Sequence, residues 1–183
     1  MAASMSEYGS RRSPAFAAPD SLGSSPYAHD AASRAYPKHP LLATSLAVIR
    51  EGRVLLATRT KPPAQGLFSL PGGLVEAGET LQQAALRELE EEVGVTASII
   101  GFNDHVEVID RDENGKVARH FVIASFVASW VSGQGTPSSE AGRVIWARPE
   151  EIVELPSTSG LARIAARAVQ LLESNIAAGK SRA

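Results

Sequence analysis

A mixed β-sheet covered by helices is the fold that this 183-residue chain predicts, and three observations predict it. Apolar runs with strand character recur along the chain, two well-separated stretches carry helical periodicity, and Gly-, Pro- and Asn-rich breaks punctuate them. The composition, 44% hydrophobic and 21% charged, supplies one ordinary core, so a single globular domain with tails is expected.

Residues 1–39 are rich in Ser, Ala and Pro, and Glu7, Asp20 and Asp30 interrupt Arg11, Arg12, Arg34 and Lys38. They hold neither the apolar block of a secretory signal nor an amphipathic arginine helix. They therefore read as a disordered N-terminal tail before a domain at 40–176, with a short C-terminal tail at 177–183. A cytoplasmic protein is expected, with organelle targeting by the tail as the alternative.

Residues 41–49, LLATSLAVI, read as a buried strand, and Glu51-Gly52 turns it into a second strand ending near Arg59. The segment 61–66, KPPAQG, suits neither strand nor helix and forms a loop leading to Phe68-Ser69-Leu70-Pro71-Gly72-Gly73. Thr80 and Gln83 have capping-box spacing, Leu81, Ala85, Leu86, Leu89 and Val93 share an apolar face, and Gly94 stops the helix. Residues 95–100 and 105–109 read as two strands, and Asn114-Gly115 marks a turn from which a long strand, 117–131, pairs back. The Gly/Ser/Pro loop 132–142 carries one carboxylate, Glu140. A short strand at 143–146, a helical turn at 149–152 and a helix at 159–172, with Leu161, Ile164, Ala165, Ala168 and Leu172 inward, complete the domain.

Several function classes are disfavoured. A net charge of -2 offers no general field for a phosphate backbone, so bulk nucleic-acid binding is not expected. With no cysteine, disulfides, thiolate metal sites and thiol nucleophiles are excluded. The longest apolar stretches, such as 121–131, fall well short of the roughly 20 residues that span a bilayer, so no membrane segment is expected.

The chemistry concentrates after Gly73. At about 100° per residue, Glu88, Glu91 and Glu92 fall within one arc beside the apolar face of their helix, so three carboxylates converge at the rim of the core. Like charges at this spacing cost roughly 0.2 to 0.5 kcal/mol each, and more near low-dielectric packing. A cation should offset them. Without cysteine, and with histidines scattered, that cation is a hard divalent ion held by oxygen, Mg²⁺ or Mn²⁺. Mg²⁺ usually completes its shell with water and substrate phosphate, so the site suits an anionic diphosphate that metal bridges to the carboxylates. Gly72-Gly73 lets backbone approach a ligand and aim a carbonyl at the metal, and Gly78 lets the loop turn into the helix.

The segment from Gly73 through Glu79, Arg87-Glu88, Leu89, Glu91-Glu92 and Gly94-Val95 resembles the signature of the Nudix hydrolases, with every defined position filled. The similarity covers about residues 41–175. It implies an α/β/α sandwich with a central mixed sheet, and hydrolysis of a nucleoside diphosphate derivative by water attacking phosphorus. By position, Glu88, Glu91 and Glu92 look like metal ligands with the Gly73 carbonyl as a further one, and Glu88 or Glu140 would activate water. The resemblance gives Glu79 and Arg87 the task of holding loop to helix.

Arg59, with Lys61, is the candidate for reaching a substrate phosphate, whereas Glu90, His105, His120, Phe121, Trp130 and Trp146 read as surface or packed residues. ADP-ribose-like compounds and (d)NTPs rank equally as nucleotide-type substrates. Residues 60–64 lack the arginine and serine positions of the coenzyme A members, and residues 109–111 lack a proline frequent in the ADP-ribose members. Two rival functions are a catalytically inactive nucleotide-sensing module, against which the intact carboxylates stand, and an RNA-end pyrophosphohydrolase, against which the acidity stands. Family precedent allows a homodimer.

Overall fold

Six strands form one mixed sheet in the computed structural model, which describes residues 34–62 and 64–180. They are β1 (Leu41–Arg50), β2 (Arg53–Arg59), β3 (Phe68–Ser69), β4 (Thr96–Arg111), β5 (Val117–Ser132) and β6 (Ala141–Ala147), and the helices are α1 (Leu81–Val93), α2 (Pro149–Ile152) and α3 (Leu161–Lys180). The strand order is β3-β2-β1-β5-β4, with β6 also on β2. Of these strand pairs only β1–β5 is parallel, from Leu41 opposite Phe121 to Ile49 opposite Ser129.

The alternation in β1 builds two cores. Leu46 and Val48 face α1 and meet Ala85, Leu89 and Val93 together with Leu55 from β2. Ala47 and Ile49 face the other way and join Val127, Ile152 and the α3 residues Leu161, Ile164, Ala165 and Ala168. A sheet buried on both faces by helices is the α/β/α sandwich that the sequence implies. The α1 ends are those predicted. Thr80 Oγ1 accepts from the Gln83 N–H while the Gln83 side chain accepts from the Thr80 N–H, and Gly94 takes the left-handed conformation at φ 64°.

One irregularity creates the site. After the turn pairs Ile49 with Val54 and Arg50 with Arg53, β2 leaves β1 and is paired further along by β3, while β6 pairs with it from Val54 to Arg59. The exposed flank of β1 is taken by the loop before α1. Leu46 N–H donates to Pro71 O at 3.0 Å, Thr44 N–H to Gly73 O at 2.9 Å and Val75 N–H to Leu42 O at 3.1 Å.

The structure departs from the sequence reading at four points. The two strands expected at 95–100 and 105–109 are one strand, β4, which bulges at 99–101 and 102–104. The break read into Gly101-Phe102-Asn103-Asp104 is absorbed because Asn103 turns under α3, its amide donating to Ile164 O at 3.0 Å, while Arg167 Nε donates to Asn103 O. Leu86 is 37% exposed and Ala84 takes the inward position. Helix α3 runs to Lys180, past the expected end at 172 and the expected domain limit at 176, since polarity alone does not stop a helix. Tyr36, assigned to the tail, is docked: its N–H donates to Ala118 O, its hydroxyl to Asp112 Oδ2, and Lys116 Nζ lies 4.4 Å from its ring centre. The rest of the tail reading, residues 1–33 and 181–183, lies outside the described residues. No described helix is long and apolar enough to cross a membrane.

Candidate functional site

Glu88 and Glu92 project from the packed side of α1 toward the loop laid along β1. Glu92 Oε2 accepts the Gly72 N–H at 3.0 Å. Glu88 rests so closely on Gly73 that a Cβ there would overlap its carboxylate, and a Cβ on Gly72 would overlap Thr44 O of β1. The double glycine thus lets the chain pass between strand and carboxylates. The Gly73 carbonyl, expected at the metal, accepts the Thr44 N–H, which leaves one of its lone pairs.

Arg87 organises the outer side. Its Nε and Nη2 form a fork on Glu79 at 3.1 and 2.7 Å, Nη2 also reaches Leu74 O, and Nη1 bonds both Glu88 and Glu91 at 3.0 Å. Its guanidinium is held more firmly protonated than usual, mainly by Glu79, while Arg87 keeps the Glu79 carboxyl below the ordinary range. Glu79 also accepts the Glu76 N–H at 2.7 Å. This pair ties the loop to the helix.

The inner carboxylates behave differently. Burial is the main cause that pushes Glu92 up to about 7, helped by the charges of Glu88 and Glu140 and opposed by the Gly72 N–H and Arg59. Glu88 is raised as well, chiefly by burial, against the pull of Arg87. Arg59 lies at the end of β2, and its field reaches Glu92.

The expected convergence of Glu88, Glu91 and Glu92 is divided. Glu91 is solvent-exposed and drawn to Arg87, and Glu140 is drawn to Lys61, whose Nζ lies 2.9 Å from its Oε1. Among the described residues, accordingly, no three acidic or imidazole side chains stand gathered as a cage. The donors nonetheless suit a hard divalent ion. Glu88 and Glu92 offer carboxylate oxygens whose ionisation is opposed by burial and by neighbouring acids, and a nearby cation would relieve both costs.

Glu140 sits in a firmly anchored loop. Trp130 Nε1 donates to Gly133 O at 2.7 Å, Trp146 Nε1 to Gln134 O at 3.1 Å, and Thr136 N–H to Val93 O at the end of α1. The two indoles are therefore loop anchors packed partly against the α1-side core. Their polar role and the Lys61–Glu140 contact escaped the sequence reading. The indole N–H groups, which seek partners when buried, were the available signal for the first, and nothing in the chain marks the second.

Residues 39–168 match the family profile described as NUDIX domain. An ADP-ribose pyrophosphatase of Methanocaldococcus jannaschii is 32% identical over 96 residues, 52% of this chain and 54% of that one. A CTP pyrophosphohydrolase of Escherichia coli is 33% identical over 109 residues, 58% of this chain and 75% of that protein. The crystal structure of a MutT NUDIX hydrolase from Burkholderia pseudomallei superposes with a TM-score of 0.63 at 27% identity, covering 71% of this chain and 98% of that one. The chain spans about half the length of the first of these curated relatives.

Proposed function

The chain belongs to the NUDIX family, and from that premise we propose that it is a Mg²⁺-dependent pyrophosphohydrolase of nucleoside diphosphate derivatives. The observation that carries this reading is the pair Glu88 and Glu92, set into the packed side of α1 against Gly72 and Gly73 with Glu92 pushed up to about 7. A stability role does not account for two acids so placed, whereas capture of a cation does.

Glu88, Glu91 and Glu92, with the Gly73 carbonyl, would hold Mg²⁺, or Mn²⁺ in its place. When bound, such an ion lowers the pKa of water and offsets charge on the phosphoryl oxygens. The chain's own groups do the rest. Glu88 or Glu140 accepts the proton of the attacking water, the new P–O bond forms as the bridging P–O bond breaks, and two phosphate-bearing products leave. Arg59, whose charge acts beside Glu92, steadies a substrate phosphate. Arg87 and Glu79 keep loop and helix in register and do not touch substrate. The relatives named an ADP-ribose pyrophosphatase and a CTP pyrophosphohydrolase support both ADP-ribose-like and (d)NTP substrates.

The test is turnover of ADP-ribose, dinucleotides, NDP-sugars and (d)NTPs with Mg²⁺, products being separated by chromatography. One class is hydrolysed, and Glu92→Gln, which keeps an oxygen for the Gly72 N–H, loses on the order of 10² to 10³ in kcat. Near-normal turnover by that variant would remove the site assignment.

A further inference from the structure

Two loops meet beside the carboxylate pair, and one contact between them has a different character from the others. Thr60 N–H donates to Glu140 O at 3.4 Å, Thr60 Oγ1 donates to Ser139 O at 2.7 Å, and Glu140 N–H donates to Ser138 Oγ at 3.1 Å. These bonds hold the backbone of Glu140 without any help from Lys61. The carboxylate alone depends on Lys61, across 2.9 Å in an exposed pair. Its charge also raises both Glu88 and Glu92, so Glu140 stands within electrostatic reach of the acids of α1.

We propose that Lys61 is a positioning residue that holds the Glu140 carboxylate outside the Glu88–Glu92 pair until a divalent cation is bound there. The proposal rests on reading that pair as a cation site. Like-charged carboxylates repel one another, and Lys61 is the cation paired with that of Glu140. An exposed ion pair of this kind shifts an equilibrium by about five-fold at most, about 1 kcal/mol. The hold is thus weak enough for a doubly charged ion to release. Lys61 then competes with the ion for Glu140, so removing the ammonium should favour the ion.

Mn²⁺ binding without nucleotide, measured by electron paramagnetic resonance of the free ion at low ionic strength, tests this on the full chain. Lys61→Met should bind Mn²⁺ about three- to five-fold more tightly than wild type, and Lys61→Arg should match wild type. In the Glu140→Gln background, Lys61→Met should change nothing. Unchanged affinity in Lys61→Met overturns the proposal, and so does tightening that persists without the Glu140 charge, which would make Lys61 only a distant repelling charge. A raised KM for nucleotide with no change in Mn²⁺ affinity would assign Lys61 to substrate and overturn it too. Absence of Mn²⁺ binding by the wild type removes the cation reading and this proposal together, whereas wild-type binding unaffected by Lys61→Met removes this proposal alone.

Discussion

Helices α1 and α3 cover opposite faces of one sheet, and they fill their buried stripes differently. On α3 the inward positions are Leu161, Ile164, Ala165 and Ala168, all nearly or wholly buried, and the alanines let the helix lie close to β1 and β5. On α1 the stripe beginning at Ala85 continues through 88, 89, 92 and 93, the spacing that an ordinary packed helix fills with apolar residues. Leu89 and Val93 obey it, but Glu88 and Glu92 interrupt it. One helix therefore gives stability almost alone, and the other gives up part of its packing to hold charge. The two roles separate across the sheet.

The largest expected effect falls on the α3 side. Ile164→Ala deletes a buried side chain from the centre of that core and should cost about 3 kcal/mol, lowering Tm by roughly 10 °C for a chain of this size. Thermal unfolding measures it. Turnover per folded molecule at 20 °C should stay within two-fold of wild type, and a parallel collapse of activity would break the division between the helices.

A comparable but pH-dependent effect is expected on the α1 side of the metal-free protein. The Glu92 carboxyl lies at about 7 when folded against an ordinary 4.5, so between those pH values the folded chain binds more protons than the unfolded one. The stabilisation from protonated Glu92 is full below about pH 4.5 and is lost as pH rises through about 7. The amount is on the order of 3 kcal/mol, and Glu88, raised in the same direction, adds to the slope. Denaturant unfolding in chelator should show stability falling over this window. Glu92→Gln should be the more stable protein at pH 8 and lose that advantage near pH 4, while Mg²⁺ should restore wild type selectively at pH 8. A flat profile would mean that the buried acids are already compensated.

The legibility of these regions in the sequence follows the range of the forces involved. The caps of α1, the β1–β2 turn and the return of β5 across Asn114-Gly115 depend on neighbours within a few residues, and the chain shows them openly. The Glu79–Arg87 link spans eight residues and was within reach only through the family resemblance. Less legible is β4, because Asn103 is kept in the strand by Ile164 O and Arg167, some sixty residues away. The contact of Lys61 with Glu140 spans 79 residues, and β2 stays on β1 only for Ile49–Val54 and Arg50–Arg53 before β3 pairs with it at Ala57 and Thr58. Residue types and helical spacing nominated Glu88, Glu91 and Glu92, and the family resemblance added Glu140. Only the folded arrangement shows that two turn inward while Arg87 and Lys61 hold the other two outside.

The smallest effect sharpens the comparison further, because it weakens α1 without touching its acids. Thr80 satisfies the Gln83 N–H, and its own N–H is satisfied by Gln83, so Thr80→Ala removes the side-chain half of the capping box. About 1 kcal/mol of stability should be lost. Glu92 lies three turns further along the helix, beyond the reach of an end effect that fades within the first turn. The pH slope of metal-free stability should therefore match that of wild type, displaced downward by a constant amount. A changed slope would show that the helix start and the buried acids move as one unit, and that the charge-holding stripe of α1 depends on its cap as well as on its contacts with the sheet.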